Sequence, residues 1–205
     1  MLAAIAVLGW FALIAQFYLN ITTSTFPVSE TITRYFSYFT IDTNLIVAVC
    51  SSLVLLAPGS AAGKFFSRQT TQAAIVLYIV VVGVVYNIIL RSIWDPQGLQ
   101  KIVDELLHLI VPILFLLYWL TCVPKNELKW KHAFNWMIYP SIYGAFALLR
   151  GNISGFYPYP FIDKAILGFN KTMINTIGFV FVFLLGGLFF IAIGKWMSKN
   201  RSASV

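Results

Sequence analysis

Residues 73–93 read AAIVLYIVVVGVVYNIILRSI, with no charged side chain before Arg91. A helix needs ~20 mostly apolar residues to cross the hydrocarbon core of a bilayer, and this run supplies them. Five further segments of the same character flank it: Met1–Leu19, Phe36–Ala57, Val103–Val123, Phe134–Leu149 and Thr172–Gly194. The fifth in chain order, Phe134–Leu149, is the shortest, and aromatic flanks extend it. Turn residues separate the runs: Pro58-Gly59-Ser60, Asp95-Pro96-Gln97-Gly98, Pro124, and Pro158 with Pro160. The pattern predicts an all-α polytopic membrane protein, one domain over residues 1–205, built as a bundle of six transmembrane helices.

Composition agrees with that reading. The 205 residues are 60% hydrophobic and 10% charged, against roughly 25% charged in soluble domains. A soluble globule, a disordered chain and a disulfide scaffold are excluded. The net charge of +7 does not indicate a nucleic-acid partner, because Lys and Arg gather at the ends of apolar runs as orientation signals do. With both termini inside, the inner loops and tail carry Lys64, Arg68, Lys125, Lys129, Lys131, Lys195, Lys199 and Arg201. The outer ones carry Arg34, Arg91, Lys101, Arg150, Lys164 and Lys171. That asymmetry predicts an N-in, C-in chain. The first run lacks a basic leader and a small-residue cleavage site, so it reads as a retained helix. Cys50 and Cys122 lie in or beside apolar runs, and no metal spacing or Gly-rich phosphate loop occurs, so neither metal nor cofactor is expected.

The polar residues cluster by depth. Antiparallel helices bring Ser37, Thr40, Asp42, Thr43 and Asn44 of the second run to the level of Tyr86, Asn87 and Arg91 of the third. Asp104, Glu105 and His108 of the fourth join them, as does Arg150 at the end of the fifth. Arginines and lysines near helix ends can snorkel to the headgroups, whereas short acidic side chains and His cannot reach far. The cluster therefore predicts a polar cavity open to the outer leaflet. The inner halves are nearly dry, which disfavours a transporter.

Helical spacing refines the picture. Asp104, His108 and Pro112 are four residues apart and share a face, with Glu105 bordering it. Carboxylates beside an imidazole fix its tautomer, as a general base requires. Ser37, Thr40, Thr43 and Asn44 form a second stripe. Asp42 points away from it, toward a partner on another helix such as Arg91 or Arg150. Asn87 and Arg91 share a face. A threonine in a membrane helix ordinarily bonds back to its own carbonyls, and His132, in the basic loop, reads as an interfacial residue. The Tyr157-Pro158-Tyr159-Pro160-Phe161 stretch reads either as a rigid interfacial loop or as a lid. The glycine pair Gly186-Gly187 reads as close helix packing.

Three stretches resemble a bacterial family of six-helix membrane proteins distantly related to the androgen-induced and androgen-dependent transmembrane hydrolases. They are Tyr38-Phe39-Thr40-Ile41-Asp42-Thr43-Asn44-Leu45, Asp104-Glu105-Leu106-Leu107-His108 with Pro112, and Arg150-Gly151-Asn152 through Asp163. The resemblance implies an integral protein of the bacterial inner membrane. Those eukaryotic enzymes hydrolyse fatty acid esters of hydroxy fatty acids with an intramembrane Thr nucleophile and a His base. It implies Thr40 as nucleophile, with Thr43 competing for the match, and His108 as base. Glu105 and Leu109 stand where the enzymes carry His and Thr. The expected site thus joins catalytic Thr40 and His108 to supporting Asp104, Glu105, Asp42 and Asn44. Asn87, Arg91, Arg150 and Tyr157 are expected to hold a lipid ester, with membrane lipids as further partners and no nucleic acid. The alternative is a non-catalytic lipid- or small-molecule-binding membrane protein that uses the same cavity.

Overall fold

The computed structural model describes residues 1–202, and among them every regular element is helical. Among the described residues five helical stretches are long and apolar enough to cross a membrane: Leu2–Thr23, Phe39–Leu56, Gln69–Leu90, Gly98–Cys122 and Lys164–Asn200. The chain divides into two compact units, Met1–Pro124 and Lys125–Val205.

The first unit holds α1 (Leu2–Thr23), α2 (Val28–Tyr35), α3 (Phe39–Leu56), α4 (Ala61–Phe66), α5 (Gln69–Val85), α6 (Gly98–Glu105) and α7 (Val111–Cys122). Helix α5 runs on into a π-helical turn, Tyr86–Leu90, and a second π-helical turn, Leu106–Ile110, joins α6 to α7. The long helices pack in a closed ring, α1 on α3, α3 on α5, α5 on α7 and α7 back on α1. Gly9 allows α1 to approach α3 closely: a Cβ there would stand 3.3 Å from that of Ala48. Small residues at such a crossing let helix backbones approach in the absence of a hydrophobic drive between them. Ala12, Leu13, Tyr35, Ile41, Ala48, Val103, Leu106 and Leu107 form the core nearest the polar cluster. Short α2 buries Thr31 and Tyr35 and exposes Val28, Ile32 and Phe36 along one stripe, the pattern of a helix lying in an interface.

The second unit holds α8 (His132–Trp136), α9 (Ile138–Ser154), a 3-10 turn at Pro160–Ile162 and α10 (Lys164–Ser202). The run Phe134–Leu149, expected as one crossing, is divided between α8 and α9. Pro140 lies in the first turn of α9, where its missing N–H is tolerated, and the preceding helix ends just before it. Helix α9 spans 17 residues, or about 25 Å, short of a ~30 Å hydrocarbon core. Helix α10 breaks at Gly168 (φ 73, ψ 166), a left-handed conformation that glycine adopts without a Cβ clash. Asp163 starts it, its carboxylate accepting the Ala165 amide at 2.8 Å. Gly187 packs against Ala133 and Trp136, the close packing expected of that glycine pair.

Candidate functional site

Pro112 organises the polar cluster of the first unit. In the π-helical turn Leu106–Ile110 the Val111 amide donates to Leu106 O, five residues back. The next residue, Pro112, has no N–H to give. Its absence deprives the Leu107 carbonyl in the π register and the His108 carbonyl in the α register. Two asparagines on neighbouring helices replace that donor. Asn44 Nδ2 of α3 donates to Leu107 O at 3.1 Å and to Thr40 O at 2.9 Å. Asn87 Nδ2, in the turn that ends α5, donates to His108 O at 3.2 Å and to Gly83 O at 2.8 Å. An amide NH2 has two hydrogens, so each side chain serves its own helix with one and the broken turn with the other. Gly83 makes room: a Cβ there would lie 3.1 Å from His108 O and 3.4 Å from Pro112 Cβ.

The turn so held presents His108. Its Nδ1 lies 2.9 Å from the Asp104 carbonyl oxygen and 3.4 Å from the Asp104 carboxylate. The shorter contact is the hydrogen bond, and the carboxylate stands just outside it as a charge. Two acceptors at Nδ1 require a proton there in the neutral ring, which leaves the Nε2 lone pair free to accept one. The His108 side chain is 12% exposed and that of Asp104 7%. The Tyr86 ring stacks on the imidazole, with centroids 3.9 Å apart and planes at 16°. The Tyr86 hydroxyl hydrogen-bonds Asp104.

Beside this group lies a second one, nearer the surface. Arg91 donates to Asn87 Oδ1 and forms an ion pair with Glu105. Glu105 thus pairs with Arg91, and the carboxylate beside His108 Nδ1 is that of Asp104. Among the described residues Arg91 forms its ion pair with Glu105 and none with Asp42. Asp42 lies instead near Tyr35, whose pKa is pushed up to about 12 by burial and by the Asp42 charge. The Tyr35 hydroxyl donates to Leu13 O at 2.8 Å.

Ser37, just before α3, and Thr40, Thr43 and Asn44 on it are all at or below 8% exposure. Asn44 joins the Thr40 carbonyl to the residue preceding His108, so the Thr40 turn and the His108 turn share one amide. Arg150 and Tyr157 belong to the second unit. There the Arg150 guanidinium lies 5.2 Å from the Phe156 ring centroid, and the Tyr157 ring packs over Gly151 while its hydroxyl donates to Asn152.

Sequence reasoning missed the role of Tyr86 and of the paired π-helical turns. The available signal was a proline four residues after a histidine, with asparagines on two other apolar runs. The chain matches no protein-family model, no curated protein and no solved structure.

Proposed function

We propose that the protein is an intramembrane hydrolase of lipid esters in which His108 is the general base and Thr40 the nucleophile. The observation that supports the reading is the imidazole of His108, half-buried in the helical bundle with Nδ1 held by Asp104 and Nε2 left as the basic nitrogen. A threonine hydroxyl is a weak nucleophile until a base sits within hydrogen-bond reach. In the proposed reaction Thr40 Oγ attacks the ester carbonyl carbon while His108 Nε2 takes the hydroxyl proton. The tetrahedral intermediate collapses, the C–O bond to the alcohol breaks, and His108 returns the proton to the departing alkoxide. Water, deprotonated by the same nitrogen, then attacks the acyl-threonine carbonyl; the C–Oγ bond breaks, the fatty acid leaves, and His108 returns the proton to Thr40 Oγ. Arg91 holds a substrate carboxylate, for which its planar fork is suited. The substrates that fit are fatty acid esters of hydroxy fatty acids or similar lipids. Six crossings with both termini inside, in a bacterial inner membrane, complete the proposal, with α8 and α9 supplying the sixth.

The test uses the purified full chain in neutral detergent with a panel of such esters. Loss of a general base lowers a rate by roughly 10²–10⁴, so His108→Ala is expected to fall by that much and Thr40→Ala to abolish turnover, while Thr43→Ala retains it. Hydrolysis that persists in both Thr40→Ala and His108→Ala refutes the mechanism. One observation favours a second reading, a non-catalytic lipid-binding protein: Tyr86 covers one face of the imidazole and also bonds its carboxylate, as in a structural polar cluster. Ester binding without turnover selects that reading.

A further inference from the structure

The second unit carries a cationic surface that the hydrolase proposal does not use. Lys129 and Lys131 precede α8, and Lys195 and Lys199 lie near the end of α10. The two stretches are fastened into one surface. Gly194 of α10 meets Leu128 and Lys125, and Gly187 meets Ala133 and Trp136. The Lys195 ammonium lies 5.8 Å from the Trp130 ring centroid. Among the described residues no carboxylate forms an ion pair with Lys129, Lys131, Lys195 or Lys199, and Glu127 is the sole acid in residues 125–136 and 187–202. Trp130 and Trp196 are 51% and 66% exposed. His132 reports the resulting field: the Lys129 amide donates to its Nδ1 at 3.1 Å, and partial burial, Lys131 and Lys129 hold its pKa below the ordinary value.

A topology signal requires only that lysines be present in a loop. Here, among the described residues, they have no carboxylate in an ion pair, gather on two packed segments and are bordered by exposed indoles at the end of a membrane-length helix. Indole rings favour the headgroup layer, and cationic clusters beside a membrane helix attract anionic lipid. We propose that Lys129, Lys131, Lys195 and Lys199, with Trp130 and Trp196, form a binding surface for anionic phospholipid headgroups of the membrane. The lysines meet the phosphates and the indoles seat at the level of the glycerol esters. The combination suits a lipid surface better than a soluble polyanion, which would find no use for the exposed indoles.

The test titrates the purified full chain in neutral detergent with phosphatidylglycerol or phosphatidylcholine, reading retained lipid and the His132 imidazole by NMR. Wild type is expected to retain phosphatidylglycerol preferentially and to show a rise in the His132 pKa as it binds. Each exposed Lys→Gln lowers that preference up to about fivefold at low salt, the equivalent of about 1 kcal/mol. The quadruple Gln variant loses the preference and the quadruple Arg variant keeps it. If the quadruple Gln variant does not fold, Lys129→Gln/Lys131→Gln and Lys195→Gln/Lys199→Gln decide. Equal retention of both lipids by wild type, or undiminished preference in the Gln variants, overturns the proposal. Inorganic phosphate that competes as well as phosphatidylglycerol also overturns it, because the surface would then be a simple anion site.

Discussion

The asparagine repair of the turn at Pro112 can be tested without knowing the substrate. Asn44→Leu replaces the amide with a side chain of similar size, so it opens little cavity. It removes the donor to Leu107 O, a carbonyl of a residue only 2% exposed. A buried carbonyl left without a donor costs about 1–3 kcal/mol. The contact to Thr40 O adds less, since that carbonyl lies within the hydrogen-bonded register of α3. The decisive background is Pro112→Ala, which restores the missing N–H. With residue 112 able to donate, an ordinary α register gives the carbonyls of Leu107 and His108 backbone partners. Asn44 then becomes dispensable. The expected coupling between Asn44→Leu and Pro112→Ala is about 1–2 kcal/mol, within the range for residues that share a partner.

The assay is reversible unfolding in mixed micelles of neutral detergent and sodium dodecyl sulfate, followed by tryptophan fluorescence. Trp119, fully buried, is the natural reporter. Four proteins close the cycle: wild type, each single variant and the double. If the two changes add to within about 0.5 kcal/mol, the asparagine does not substitute for the proline's missing donor and the account fails. The Asn87→Leu and Pro112→Ala pair provides a parallel cycle, because Asn87 serves the adjacent His108 carbonyl.

Gly83→Ala places a methyl 3.1 Å from His108 O, and overpacking of that kind costs about 1–3 kcal/mol, readable in the same unfolding assay. Tyr86→Phe keeps the ring stack and removes the hydroxyl bond to Asp104; imidazole NMR should still show the proton on Nδ1, whereas Asp104→Ala should alter the tautomer and its titration. Loss of the tautomer in Tyr86→Phe alone would transfer the orienting role to the phenol. His132 binds its proton less readily when folded than at its ordinary value of 6.5, so the unfolded state takes up more protons and stability falls as pH drops below that value. His132→Gln should flatten this acid dependence of unfolding, and an unchanged profile would refute it.

The membrane-helical character of the chain was legible because the solvent imposes it. In hydrocarbon every backbone polar group must be satisfied within its own segment, so length and apolarity together specify a helix. Phe134–Leu149 departs from this regularity, because apolar composition continues through Pro140 but the hydrogen-bond ladder cannot. Composition averages over a window and does not register one missing N–H. At Gly168 the break in α10 likewise depends on a single backbone dihedral.

The candidate site was legible where one helix supplies both partners, and illegible where packing chooses between them. Asp104 and His108 sit one turn apart, and the structure pairs them. For Glu105 and Asp42 helical phase gives a direction but no neighbour. Glu105 meets Arg91 because the two π-helical turns face each other across the α5 and α7 packing. Those turns are themselves invisible to a 3.6-residue period, since each inserts a residue that shifts the helical phase of every later position. Pro112 explains why the insertion is tolerated at one of them. With its N–H absent the α register offers no extra bond at that position, so the π register loses little, and Asn44 and Asn87 then hold the result in place. A polar residue in an apolar helix invites a functional reading. For these two asparagines the backbone already gives a sufficient reason, and that leaves His108, Asp104 and Tyr86 as the group whose arrangement exceeds what the fold requires.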